Sequence, residues 1–192
     1  MGAATWAGYT IVEKIDSSIN ALPVYGEKNH QIESFSLTNQ QGYTFESSAQ
    51  ADKIWVVHYF FTSCPTICPK MMKNMQQLHD LVRAEEDILL LSITVDPAHD
   101  TPERMRRYLN RYNVNHNSWQ LLTGPKKKLY RLARKSFLVS ATDGRGDDKD
   151  FIHSENIVVI DTNQKIRAII NGTADDADEQ ILSVIKRLKT KS

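Results

Sequence analysis

The chain has 192 residues and a net charge of +1, with 41% hydrophobic, 24% charged and 8% aromatic residues; this suits one globular domain with a sizeable core. The near-neutral balance gives no electrostatic case for nucleic acid or an anionic membrane surface as a partner, and no run of about 18 apolar residues marks a membrane span. Two cysteines cannot build the disulfide framework of a small secreted domain, so they make a site or a redox pair.

Residues 1–30 show no clear periodicity and are punctuated by Pro23 and Gly26. They read as an N-terminal arm lying over the domain, a linker or an added remnant with a poorly ordered end. The opening MGAATWAGYTIVEKID lacks the basic start and apolar block of a signal peptide. That leaves a cytosolic protein, or one whose signal or anchor lies outside this chain. Residues 31–192 read as a single domain.

Ile32–Leu37 and Tyr43–Phe45 alternate around Asn39-Gln40-Gln41-Gly42, the pattern of a β-hairpin. Glu46–Lys53 is polar and loop-like. Ile54–Phe61 is apolar on both faces, as a central strand covered by helices on each side must be. After Pro69 a helical pattern begins, with Met72, Met75, Leu78, Leu81 and Val82 at three- and four-residue spacing. At that spacing Met71, Met72 and Met75 read as core filler rather than thioether ligands.

Ile88–Val95 is a second buried strand. Thr101 before Pro102 supplies an N-cap and a first-turn proline for a helix through Met105, Tyr108, Leu109 and Tyr112. Trp119–Leu122 is a short strand, and Gly124-Pro125 opens a helix through Leu129, Leu132, Ala133 and Phe137. Its lysines Lys126, Lys127 and Lys128 form a solvated face. Residues 142–150 are rich in glycine and aspartate and read as a mobile surface loop. Asn156–Asp161 and Ile166–Ile170 make a second hairpin. A last amphipathic helix carries Ala177, Ile181, Val184, Ile185 and Leu188, capped by Thr173 or a nearby aspartate. The order predicts an α/β, thioredoxin-like three-layer sandwich: a mixed central sheet with helices on both faces, an extra N-terminal hairpin and an inserted helix.

The only cysteines, Cys64 and Cys68, lie in Cys64-Pro-Thr-Ile-Cys68-Pro69 where the first central strand feeds a helix, the end of the sheet where open α/β folds place ligands. Pro69 lacks an N–H and fits only the first helical turn, so both sulfurs lie at the helix N-terminus, where free N–H groups favour thiolate. If that turn is helical, a spacing of four puts both sulfurs on one face. They could close a disulfide or pinch one metal ion.

Two thiolates leave a metal under-coordinated. Of six histidines, His58 lies within the buried strand and reads as a core residue, and His79 is too far along the helix to reach. His30 and His116 read as surface residues, and His99, after the second strand, is a second choice. His153 follows the acidic loop and precedes the strand at Asn156. In a thioredoxin-like plan that loop neighbours the cysteine turn, on a segment able to move away. Cys64, Cys68 and His153 suit copper in either oxidation state, Cu(I) or Cu(II); zinc with a bound water would also accept them.

These residues resemble the Sco/SenC family, copper chaperones of cytochrome c oxidase assembly, over about residues 30–190. The resemblance rests on C-P-x-x-C-P (Cys64–Pro69), V-D-P-x-x-D-T-P (Val95–Pro102), L-T-G (Leu122–Gly124) and the histidine-then-strand segment at His153. It implies a thioredoxin-like fold, copper held by Cys64, Cys68 and His153, and delivery of copper to, or reduction of cysteines in, the oxidase CuA site. The implied partner is the oxidase's copper-site subunit or another extracytoplasmic copper or thiol protein, and the implied location is the periplasm or intermembrane space, tethered through an anchor that is not in this chain. Asp96 and Asp100 match the family's acidic loop, and Asp100 reads as a brace for the turn before Pro102. The chain departs from the family in having Thr66 between the cysteines and Ile152 before the histidine, where the family often has aspartate. Two rival readings use the same pair: a thiol–disulfide oxidoreductase with Cys64 attacking and Cys68 resolving, and a copper or redox sensor. A peroxiredoxin would want threonine where Phe61 stands.

Overall fold

The computed structural model describes residues 22–114, 117–139 and 152–190. Seven strands, β1 (Ser36–Asn39), β2 (Thr44–Glu46), β3 (Ile54–Phe60), β4 (Ile88–Thr94), β5 (Trp119–Thr123), β6 (Asn156–Ile160) and β7 (Ile166–Asn171), form one sheet in the order β2-β1-β5-β4-β3-β6-β7. The inner strands β3, β4 and β5 run parallel, while β6 joins β3 and β1 joins β5 in antiparallel pairing. The N-terminal hairpin is therefore an extension of the central sheet on the β5 side.

Every residue of β3 is buried because both faces are covered. Ile54, Val56 and Phe60 pack beneath helices α1 (Ile67–Val82), α2 (Pro102–Leu109) and α4 (Ala177–Lys189). Trp55, Val57 and Tyr59 point the other way, against α3 (Lys126–Arg131), its continuation and Phe35. This is the expected sandwich with helices on both faces. Its topology puts the C-terminal ends of β3 and β4 side by side, and the cysteine turn follows directly from β3.

Several local expectations change. Glu46–Lys53 contains a 3-10 turn at Ser47–Gln50, whose buried Ser47 hydroxyl accepts the Phe35 N–H at 2.7 Å. After α3 the helix widens over Leu132–Ser136, where the Phe137 N–H reaches back to the Leu132 carbonyl at 2.8 Å. The last helix starts at Ala177 without a side-chain cap. Asp176 stands at the N-cap position, and the Thr173 hydroxyl instead meets Asn171 at 2.8 Å and Glu155 at 3.2 Å.

His30 is half-buried, not a surface residue. Its ring Nε2 donates to the Ser136 carbonyl at 2.8 Å. Upstream of it, Tyr25 bridges to Ile166 on β7, and Arg167 donates to the carbonyls of Leu22 and Pro23. Residues 22–30 are thus stitched along the sheet edge, which covers part of an otherwise open strand. The first 21 residues of the expected arm at 1–30, the surface reading of His116 and the loop at 142–150 lie outside the described residues. Among the described residues no helix is long and apolar enough to cross a membrane.

Candidate metal centre

After Phe60 the chain leaves the sheet, turns through Cys64, whose N–H bonds the Phe61 carbonyl at 3.2 Å, and enters α1 at Ile67. Pro69 falls in the first turn, as its missing N–H requires. Cys68 is the second helical residue, and Cys64 lies before the helix, so helical spacing does not align the pair. A hydrogen bond does: the Cys68 backbone N–H donates to the Cys64 sulfur at 3.4 Å. The N-cap residue Thr66 makes no side-chain cap bond, and the first turn holds no acidic residue. The Cys64 sulfur therefore occupies the acceptor role at the positive end of the helix.

Both cysteines are free thiols and buried, yet their acidities diverge. Burial pushes Cys64 up. The Cys68 side chain, the backbone N–H groups of Thr66 and Cys68, and the Thr66 side chain outweigh it, leaving the thiol below its ordinary 9.0. For Cys68 burial dominates, and the Cys64 side chain and the charges of Cys64 and Asp100 add to it. These outweigh a bond with the Phe61 backbone, and the thiol is pushed up to about 12. The pair is one thiolate-prone sulfur exposed to donors and one retained thiol. Thr66 is one of the donors, so the family's usual aspartate is replaced here by an uncharged group that supports the thiolate.

Asp100 braces this turn from below. Its carboxylate, 1% exposed, accepts the Thr62 hydroxyl at 2.5 Å, the Thr62 N–H at 3.2 and 3.3 Å, and the Thr94 hydroxyl at 2.5 Å. Arg104 on α2 closes the group, donating to the Thr62 hydroxyl at 2.6 Å. Asp100 therefore supports the segment leading to Cys64 as well as the turn before Pro102, where Thr101 caps α2 by accepting the Arg104 N–H at 3.3 Å. The reach to Thr62 lies beyond what the sequence alone suggests.

Cys68 and His153 line the same narrow cleft, of about 10 Å³, with Phe61, Ile67 and Ile152 also in its wall. That is room for about one water-sized species. Cys64 borders Cys68 through the 3.4 Å contact and is not part of the cleft wall. Among the described residues, no three His, Cys, Asp or Glu side chains stand close enough together to hold a metal ion. Cys64 and Cys68 form a ready pair, and His153 shares the cleft with Cys68.

The segment carrying His153 is held, contrary to the picture of a histidine that swings. Ile152 is 2% exposed within the core on the α3 side of the sheet. Ser154 donates to the Val139 carbonyl at 2.7 Å, and its hydroxyl accepts the Asn156 N–H at 3.1 Å. Ile152, where the family often has aspartate, uses its position for packing.

The other histidines stand elsewhere. His58 is fully buried, with Nε2 2.6 Å from the Ser92 hydroxyl, and burial lowers its pKa to about 4. His79 is buried near Ser118. His99 is exposed and its Nδ1 lies 2.9 Å from Asp96. Met71, Met72 and Met75 are fully buried in the core between the sheet and α1.

The sequence pattern of the SCO1/SenC family matches residues 24–190. The chain belongs to the SCO1/SenC family. It is 28% identical over 164 residues to the SCO1 protein homolog of Bacillus subtilis, covering 84% of each chain. Among solved structures it superposes on BsSco, a member of the Sco family of cytochrome c oxidase assembly proteins in which a disulfide switch has been identified. That match has a TM-score of 0.72 and 27% identity, and covers 88% of this chain and 99% of that one. The copper-bound ScoI of Bradyrhizobium japonicum has a TM-score of 0.65 at 22% identity, covers 82% of this chain and 99% of that one, and speaks to the SCO1/SenC fold alone.

Proposed function

We propose that this SCO1/SenC chain binds one copper ion through Cys64, Cys68 and His153 and acts as a metallochaperone for the CuA site of cytochrome c oxidase. The observation that carries the reading is the sulfur pair at the start of α1 sharing, through Cys68, a one-atom cleft with His153. Two soft thiolates and an imidazole fit Cu(I) in three-coordinate form and accept Cu(II) as well; the same donors would also take zinc.

In this reading copper is cargo. Cys64 binds first because its thiolate is already favoured. Cys68 loses its proton only when the metal replaces it, so capture releases protons and weakens at low pH. His153 completes the set from the cleft wall it shares with Cys68 and is the contact most easily given up. The partner is the oxidase's copper-site subunit or another extracytoplasmic copper or thiol protein. The protein works tethered to a membrane, facing the periplasm or intermembrane space.

The acidity difference between the cysteines favours a second reading, a thiol–disulfide oxidoreductase. Cys64 thiolate attacks a partner disulfide, the partner's leaving thiolate takes a proton, and Cys68 thiolate then resolves the mixed disulfide. The partner gains two electrons, and Cys64–Cys68 becomes a disulfide. A copper or redox sensor would use the same residues. Titrating copper into reduced wild type, Cys64→Ala and His153→Ala separates these readings: the chaperone reading requires His153, the reductase reading does not.

A further inference from the structure

We infer that Asn74 is a positioning residue for the copper site, holding the His153 segment in register with the cysteine helix. This inference rests on His153 being a ligand.

Asn74 lies on α1, 4% exposed. Its side-chain amide donates to two carbonyls at once, Gly172 at 2.9 Å and Ala174 at 2.8 Å, clamping the turn after β7 onto the cysteine helix. That turn in turn grips the chain two residues beyond His153. The Gly172 N–H donates to the Glu155 carbonyl at 2.7 Å. The path from Asn74 to Glu155 is therefore a short run of hydrogen bonds, anchored at one end in the helix that starts with the cysteines.

The approach is close because residue 172 is glycine. A Cβ there would sit 2.7 Å from the Ile157 side chain and 2.9 Å from the Met71 terminal methyl. Any side chain at 172 would have to push aside the ends of Ile157 on β6 and Met71 on α1. A buried asparagine between Met71 and Leu78 needs partners to be tolerated, and here both partners belong to the turn that grips the His153 segment. Groups that orient a metal ligand from behind typically change metal affinity by roughly 10–100-fold when removed.

The experiment measures Cu(I) affinity by competition with a chromophoric chelator for reduced wild type, Asn74→Ala, His153→Ala and the double variant. Amide exchange of Gly172 in metal-free protein is followed in parallel. The expected result is that Asn74→Ala binds copper roughly tenfold more weakly, that the Gly172 amide exchanges faster, and that in the His153→Ala background Asn74→Ala causes no further loss. Such non-additivity marks two residues acting as a unit. Equal losses in both backgrounds, or wild-type affinity for Asn74→Ala, overturn the positioning role while leaving His153 as ligand. Wild-type affinity for His153→Ala overturns the ligand reading and the positioning role with it. If Asn74→Ala does not fold, Asn74→Leu, which fills the volume without the amide donor or a charge, takes its place with the same outcomes.

Discussion

The Asp100 carboxylate and Thr62, 38 residues apart in sequence, are joined by the threonine hydroxyl at 2.5 Å and its N–H at 3.2 Å. The loop after β4 thereby fixes the height at which the chain turns toward Cys64. Removing the carboxylate leaves the buried hydroxyl of Thr94 and the half-buried hydroxyl of Thr62 without their acceptor. Asp100→Ala should lower stability by roughly 3 kcal/mol, given about 1.5–3 kcal/mol for a hydrogen bond to a charged group. Asp100→Asn, which keeps the shape, should lose less. Urea unfolding of both variants checks this; a Asp100→Ala midpoint equal to wild type would contradict the brace.

His58 gives the fold an acid limit. Its pKa falls from 6.5 to about 4 on folding, because burial disfavours the imidazolium. The unfolded chain therefore binds more protons between those values. The stability due to neutral His58 is fully present above about pH 6.5 and is lost as pH falls toward 4. The shift corresponds to about 3 kcal/mol. Unfolding free energies of wild type and His58→Gln at several pH values should differ in slope across this window, with the variant flatter. Parallel slopes would rule out His58 as the source.

Thr66 is expected to tune the thiolate. Thr66→Val removes a hydroxyl that favours ionised Cys64, so the pKa of Cys64 should rise toward 9.0. The rate of Cys64 alkylation against pH, with mass spectrometry locating the label, reports it. Wild type should reach half-maximal rate below pH 9.0 and the variant at higher pH, with Cys68 slow in both because its thiol lies at about 12. Coincident profiles would remove Thr66 from the set of donors.

Much of this was legible in the sequence because it is local. The central strands announce themselves by unbroken apolar runs, and Pro69 fixes where the cysteine helix can start. Thr101-Pro102 marks the start of α2, as found. What escaped is non-local or ambiguous. Asp100 reaches Thr62 across two strands, and no spacing rule encodes that. The sequence from Thr173 to Asp178 offers several competing caps, and the helix begins without any of them. The widened turn at Leu132–Ser136 breaks a periodicity that looked regular. For His153, the signal overlooked was the apolar Ile152 beside it, which is buried and holds a segment expected to be able to move away. For Asn74, it was a polar residue between Met71 and Leu78 on the buried face of α1.

The central claim is that His153 completes a copper site begun by Cys64 and Cys68. Copper titrated into reduced wild type, Cys64→Ala and His153→Ala, followed by thiolate-to-copper charge-transfer absorption, tests it most directly. One copper per wild-type chain is expected. Cys64→Ala should lose the site, and His153→Ala should keep its fold and bind more weakly, by more than the roughly 10–100-fold typical of a group behind a ligand. Identical titrations for wild type and His153→Ala would contradict the account.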